Sequence, residues 1–217
     1  MGLHSPRPLD GRTRNRIGID FDNTIICYDD IFLSAAKERG LVPSNFSGSK
    51  KEVRDTIRLN PGGELAWQKL QGYVYSRGID RASPFEGLES FLARCCEAEH
   101  EILIVSHKTE FGNFDSSGTN LRTAAVSWLE KRGFFSKSFG LQRENVFFES
   151  TRAEKIRRIS ATGCGCFIDD LEEVFAEPSF PGQVKRILFS AQRLISGIEL
   201  DAVCPTWSDV ETAVFDA

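Results

Sequence analysis

The chain has 217 residues, 41% of them hydrophobic and 27% charged, with Lys+Arg 27 against Asp+Glu 31 and a net charge of −4. This composition is globular and excludes collagen-like, coiled-coil and disordered chains. The acidic balance argues against a nucleic-acid polymer as partner, and no run of about 18 apolar residues is present to span a membrane.

Residues 1–16 are polar and basic, carry Pro6 and Pro8, and lack the apolar run of a secretory signal. They read as a flexible leader. Ile17, Gly18, Ile19 and Phe21 follow as a short buried strand. Residues 29–82 then offer no central strand. Their periodicity predicts three helices, over residues 31–39, 49–59 and 63–76. A simple strand–helix–strand crossover needs far fewer residues, so residues 29–82 read as a small helical module inserted after the first strand.

Ser83 and Pro84 give a cap-and-first-turn signal for a helix over residues 84–97, with Leu88, Phe91 and Leu92 on one face. Strands are predicted over 101–105, 145–148, 165–168 and 184–189. Helices are predicted between them over 119–132 and 151–161, ending near Gly133 and Gly163. Continuous apolar strands alternating with amphipathic helices imply a doubly wound, Rossmann-like parallel α/β sheet. Its core comprises residues 17–28 and 83–217. Cys27, Cys95, Cys96, Cys164, Cys166 and Cys204 are too sparse for a disulfide framework. They read as reduced, buried residues of a cytoplasmic protein.

The first strand ends in Asp20 and Asp22, followed by Asn23 and Thr24. Ligands of open α/β sheets bind at the carboxyl ends of strands. Two close carboxylates repel, and a divalent cation resolves the conflict. A solvated pair entering a turn is the alternative. The strand over 101–105 ends in Ser106, with His107, Lys108 and Thr109 beyond it. The strand over 165–168 ends in Asp169 and Asp170. Lys155 falls in the first turn of a helix, against the helix dipole, so it either reaches solvent or is held by an anion.

In this order the four motifs resemble those of the haloacid dehalogenase-like superfamily of phosphotransferases. The resemblance implies that Asp20 is a nucleophile forming an aspartyl-phosphate, and that Asp22 is the general acid/base. It implies a Mg²⁺ ion held by Asp20, by one or both of Asp169 and Asp170, and by the main-chain carbonyl of Asp22. Ser106 and Lys155 would bind the phosphoryl group, with backbone N–H groups around Phe21, Asn23 and His107. Lys108 is a rival to Lys155. The His107 side chain either contacts substrate or is an exposed loop residue. Asn23 replaces the commoner Gly, and little effect is expected, because Asn tolerates turn geometry.

The helical insertion resembles the family's small cap. Its Lys50, Lys51, Arg54, Arg58, Trp67, Lys69, Tyr73, Tyr75 and Arg77 either read a polar or anionic leaving group or form a solvated face with aromatic packing, and the loop over residues 109–119 is a candidate pocket rim. An acid at Asp22 argues against a dehalogenase. The expected function is Mg²⁺-dependent hydrolysis of a small soluble phosphomonoester by a monomer or homodimer. The alternatives are a phosphomutase, a nucleotidase, or a non-catalytic member that binds a phosphorylated ligand. On like-charge grounds, loss of either Asp20 or Asp22 is expected to leave the fold intact.

Overall fold

The computed structural model describes residues 15–114, 117–191 and 197–216. The expected leader lies outside these residues apart from Asn15 and Arg16, as do two residues of the 109–119 loop. The elements run β1 (Arg16–Ile19), β2 (Ile26–Cys27), α1 (Asp29–Glu38), α2 (Lys50–Arg58), α3 (Gly63–Tyr75), β3 (Ser83–Pro84), α4 (Leu88–Glu97), β4 (Glu101–His107), α5 (Leu121–Lys131), β5 (Val146–Glu149), α6 (Arg152–Thr162), β6 (Cys166–Asp169), α7 (Glu172–Phe175), β7 (Lys185–Phe189), β8 (Ala202–Cys204) and α8 (Trp207–Phe215).

Six strands form one parallel sheet in the order β5-β4-β1-β6-β7-β8. The chain winds outward from β1 to β4 and β5, then crosses back to β6 and continues the other way. The strand order therefore reverses beside β1, and a crevice is expected at the carboxyl ends of β1, β4 and β6.

Both faces of the sheet are covered, which is why its strands read as unbroken apolar runs. Along β4, Ile102 and Ile104 enter one core with Phe91, Trp128 and Trp207. Leu103 and Val105 enter the other with Ile156, Ile159 and Phe167. Each such fully buried side chain contributes about 1.5–3 kcal/mol. Gly18 is fixed by close approach: a Cβ there would lie 2.5 Å from Phe167 Cδ2 and 3.3 Å from Cys164 Sγ.

The helices α1, α2 and α3 pack on one another. They leave and re-enter the chain through the antiparallel pair β2–β3. Phe32 stacks on Trp67 at 4.8 Å between ring centroids, and Tyr28 meets Tyr75 edge-on at 4.9 Å.

Two local expectations are corrected. The helix predicted over 84–97 begins at Leu88, because Ser83–Pro84 pairs with Ile26–Cys27 and Gly87, at φ 85°, turns the chain into the helix. The edge strand β8 and helix α8 were not anticipated. A strand of three residues, only one of them buried, has no periodicity to read. At the starts of α2 and α6, Ser49 with Glu52 and Thr151 with Glu154 form reciprocal capping boxes.

Candidate active site at the strand ends

Asp20 follows β1, and its N–H donates to the Ile168 carbonyl at 2.8 Å, which ties the first strand's exit to β6. Asp169 is the last residue of β6, fully buried, and Asp170 follows it. Carboxylate oxygens of Asp20, Asp169 and Asp170 lie within 4.8 Å of one another. Lys155 reaches this group from α6. Its Nζ donates to Asp20 Oδ1 at 2.5 Å and to Asp169 Oδ2 at 2.6 Å. Of the two fates open to Lys155 in the sequence, the fold selects the anion. The residue is 2% exposed, and its helix is started by the Thr151 capping box rather than by an acidic partner for the ammonium.

Burial works against the charge on Lys155, but Asp169 and Asp20 outweigh it and hold the ammonium above its ordinary value. Burial pushes the Asp169 carboxyl up to about 7, opposed by Lys155 and reinforced by Asp20. It pushes Asp170 well above the carboxylate range, reinforced by Asp169 and Asp20. Were all three carboxyls ionised, they would exceed the one ammonium by two charges, and it is this excess that the raised Asp169 and Asp170 resist unless a cation offsets it. Among the described residues nothing donates a hydrogen bond to the Asp170 carboxylate. Hard oxygen donors, a two-charge deficit and an unengaged carboxylate fit a divalent cation.

Asp22 lies outside this cluster. Lys108 Nζ donates to its two carboxylate oxygens at 2.8 and 2.9 Å, and the Tyr28 hydroxyl donates to Oδ1 at 2.6 Å. Burial pushes the Asp22 carboxyl up, but Lys108, the Tyr28 hydrogen bond and Lys50 together hold it below its ordinary value. Lys108 is 4% exposed and sits 5.4 Å from the Phe21 ring centre and 5.3 Å from that of Tyr75. Its carbonyl accepts from Arg122 Nε at 2.9 Å, so α5 braces the turn after β4. Lys108 thus holds Asp22, while Lys155 holds Asp20 and Asp169.

Asn23 adopts φ 60°, the left-handed turn geometry its residue type tolerates. Asn23 Oδ1 accepts from Lys50 Nζ at 3.3 Å, a link between turn and helical insertion that glycine has no side chain to make. Ser106 is buried at the end of β4, and among the described residues its hydroxyl has no protein partner. The His107 ring is exposed and its Nε2 bonds the Ser150 carbonyl at 2.9 Å, outside the carboxylate cluster. Tyr28 and Arg122 were not found from the sequence. A Tyr six residues past an Asp and an Arg on an amphipathic helix carry no local signal.

The chain matches no protein-family model and no curated protein. Among solved structures it is similar to a haloacid dehalogenase-like family hydrolase from Streptococcus pneumoniae, with a TM-score of 0.57 and 14% identity over 91% of this chain and 96% of that one. It is similar to Protein Tyrosine Kinase A of Mycobacterium tuberculosis, with a TM-score of 0.62 and 14% identity over 94% of this chain and 100% of that one. A structure from Bacillus subtilis, described as a HAD-hydrolase bound to magnesium, aligns with a TM-score of 0.56 and 9% identity over 94% of this chain and 99% of that one. The protein has the haloacid dehalogenase-like fold, a parallel Rossmann-like sheet flanked by helices. Among the described residues no helix is long and apolar enough to cross a membrane.

Proposed function

Taking the haloacid dehalogenase-like fold as premise, we propose that the protein is a Mg²⁺-dependent hydrolase of small phosphomonoesters that works through an aspartyl-phosphate on Asp20. One observation carries the reading. Asp20 and Asp22, two residues apart, occupy opposite environments: Asp20 belongs to the cation-compatible cluster with Asp169 and Asp170, and Asp22 is held outside it by Lys108 and Tyr28. Two carboxylates set apart in this way suit two roles, nucleophile and proton carrier.

Asp20, Asp169, Asp170 and the main-chain carbonyl of Asp22 would hold Mg²⁺. When bound, the ion supplies charge neutralisation between an anionic nucleophile and an anionic phosphate. A carboxylate oxygen of Asp20 attacks phosphorus and the bond to the leaving oxygen breaks. The Asp22 carboxyl, ionised while Lys108 holds it, must take up a proton as the anionic phosphate binds; it gives that proton to the leaving oxygen, then takes one from the water that hydrolyses the acyl-phosphate. Ser106, Lys155 and backbone N–H groups near Asn23 and His107 bind the phosphoryl oxygens. Lys155 meanwhile fixes Asp20 and Asp169 in place.

In this reading residues 29–82 form a cap over a core of 17–28 and 83–217, with the β2–β3 pair as its stem. The six cysteines are free and four are buried, in keeping with a reducing, cytoplasmic setting. The test is turnover of p-nitrophenyl phosphate, expected to stop on chelation and return with Mg²⁺, together with rapid quench and mass spectrometry. A phosphoryl adduct on Asp20 is expected. Undiminished turnover after thorough metal removal, or an adduct on Asp22, would overturn the assignment.

A further inference from the structure

A recess of about 410 Å³ opens beside the carboxylate cluster. Asp170 and Asn23 bound it on the strand-end side, Phe85 and Phe189 give it an apolar wall, and Lys50 enters from α2. The Lys50 ammonium differs from the site's other two. Lys155 and Lys108 each bond a carboxylate. Among the described residues no carboxylate comes within ion-pair distance of Lys50 Nζ.

Lys50 donates to a neutral amide oxygen, that of Asn23, at 3.3 Å. The rings of Tyr28, Phe32 and Tyr75 surround it at 5.8, 5.3 and 5.4 Å from their centres. Aromatic faces hold an ammonium in position without neutralising it, and an ammonium carries three donors. Burial works against this charge, but the Tyr75 hydroxyl and the more distant Asp22 and Asp170 outweigh it. A charged, positioned cation with neutral partners, on the wall of a recess next to a phosphoryl-transfer site, is built to meet an anion.

We propose that Lys50 is a specificity residue that receives a second anionic group, a carboxylate or a phosphate, carried on the leaving group of the substrate. The assignment rests on the phosphomonoesterase reading and narrows its substrate class to esters whose alcohol is itself anionic. A neutral alcohol in the same recess leaves the ammonium with neutral partners alone. Phe85 and Phe189, whose ring centroids lie 5.0 Å apart, also line the recess and would pack against the carbon skeleton of such an ester.

The test uses a matched pair of esters: 3-phosphoglycerate, and glycerol 3-phosphate, which differs by a hydroxymethyl in place of the carboxylate. Lys50→Met keeps the stem inside the aromatic cage and removes the charge. It is expected to lower the ratio of kcat/KM for 3-phosphoglycerate over glycerol 3-phosphate by about 10-fold or more, beyond any loss common to both esters from the Asn23 and Asp22 contacts. Lys50→Arg should restore part of the loss. Equal losses on both esters would place Lys50 on the transferring phosphoryl group or in the fold and overturn the assignment, as would no loss on either.

Binding of the same two esters to Asp20→Asn and to Asp20→Asn/Lys50→Met, by calorimetry with Mg²⁺, separates this inference from its premise. A Lys50-dependent preference for 3-phosphoglycerate without turnover by the wild type would sustain Lys50 as an anion receptor and sink the hydrolase. Turnover of both esters without preference would do the reverse. Failure of Asp20→Asn to bind either ester would overturn the assignment of Lys50.

Discussion

Lys108 Nζ lies 2.8 and 2.9 Å from the two carboxylate oxygens of Asp22, although 86 residues separate the pair in the chain. β4 delivers the lysine and β1 the aspartate, and the two strands are neighbours in parallel register. This ion pair governs how the site responds to pH and to substitution.

Removing Lys108 is expected to reverse the sign of the Asp22 shift. In the wild type the carboxyl is held below its ordinary value of 3.8. A carboxyl depressed on folding contributes stability that is present above its unfolded value and lost as pH falls through its folded one. In Lys108→Met, burial acts with weaker opposition from Tyr28 and Lys50. The folded value then rises above 3.8, and stability declines as pH rises through that region. The stability gap between wild type and variant should therefore widen from about pH 4 to about pH 7. Urea midpoints at the two pH values measure it, and an unchanging gap would contradict the pairing.

Asp22→Asn should destabilise the fold more than Asp20→Asn. The like-charge argument from sequence expects both variants to fold, and the partners in the structure rank them. Asp20→Asn leaves Lys155 its second partner, Asp169, at 2.6 Å. Asp22→Asn leaves the buried Lys108 facing an amide. Stranding a fully buried ion costs about 3–5 kcal/mol. Because the amide oxygen of Asp22→Asn still accepts from the stranded Lys108 ammonium, a smaller loss of about 1–3 kcal/mol is expected. Denaturant titration of both variants at neutral pH decides it, and equal midpoints would count against the pairing.

Lys155→Ala should make stability more dependent on metal. The substitution removes the one ammonium bonded to Asp20 and Asp169 and leaves three carboxylates facing one another. Without a divalent cation their repulsion is unopposed, and a cation that binds the folded state alone restores stability by mass action. The rise in Tm on adding Mg²⁺ is expected to be larger in Lys155→Ala than in the wild type, while turnover falls by at least about 10²-fold. A smaller rise would mean that Lys155 helps to build the cation site instead of competing with it.

Gly18→Ala tests the packing beneath the site. An added Cβ would lie 2.5 Å from Phe167 Cδ2, and Phe167 is fully buried between strand and helix. Overpacking of this kind costs about 1–3 kcal/mol. Asp20 and Asp169 directly follow the β1–β6 pairing, and the Asp20 N–H bonds the Ile168 carbonyl, so metal-dependent turnover should fall with the urea midpoint. A variant of unchanged stability would show that the Phe167 ring yields freely.

The chain's own order of residues determined the sheet and the placing of its acids. Ile17 to Ile19, Ile102 to Val105 and Phe167 to Ile168 are buried on both faces, so they read as apolar runs, and the residue after such a run stands at a strand's carboxyl end. Asp20, Ser106 and Asp169 were legible for that reason. The Ser49 and Thr151 helix starts were legible because a capping box is a contact between residues three apart. Side-chain pairing across the fold was not legible. Which aspartate Lys155 and Lys108 would meet, whether Lys50 would reach Asn23, and whether Pro84 would open a helix or pair with Ile26 depend on strand order, register and the return path of an inserted helical segment. No local pattern encodes these, because the contacts form between residues brought together only when the sheet closes over its two cores.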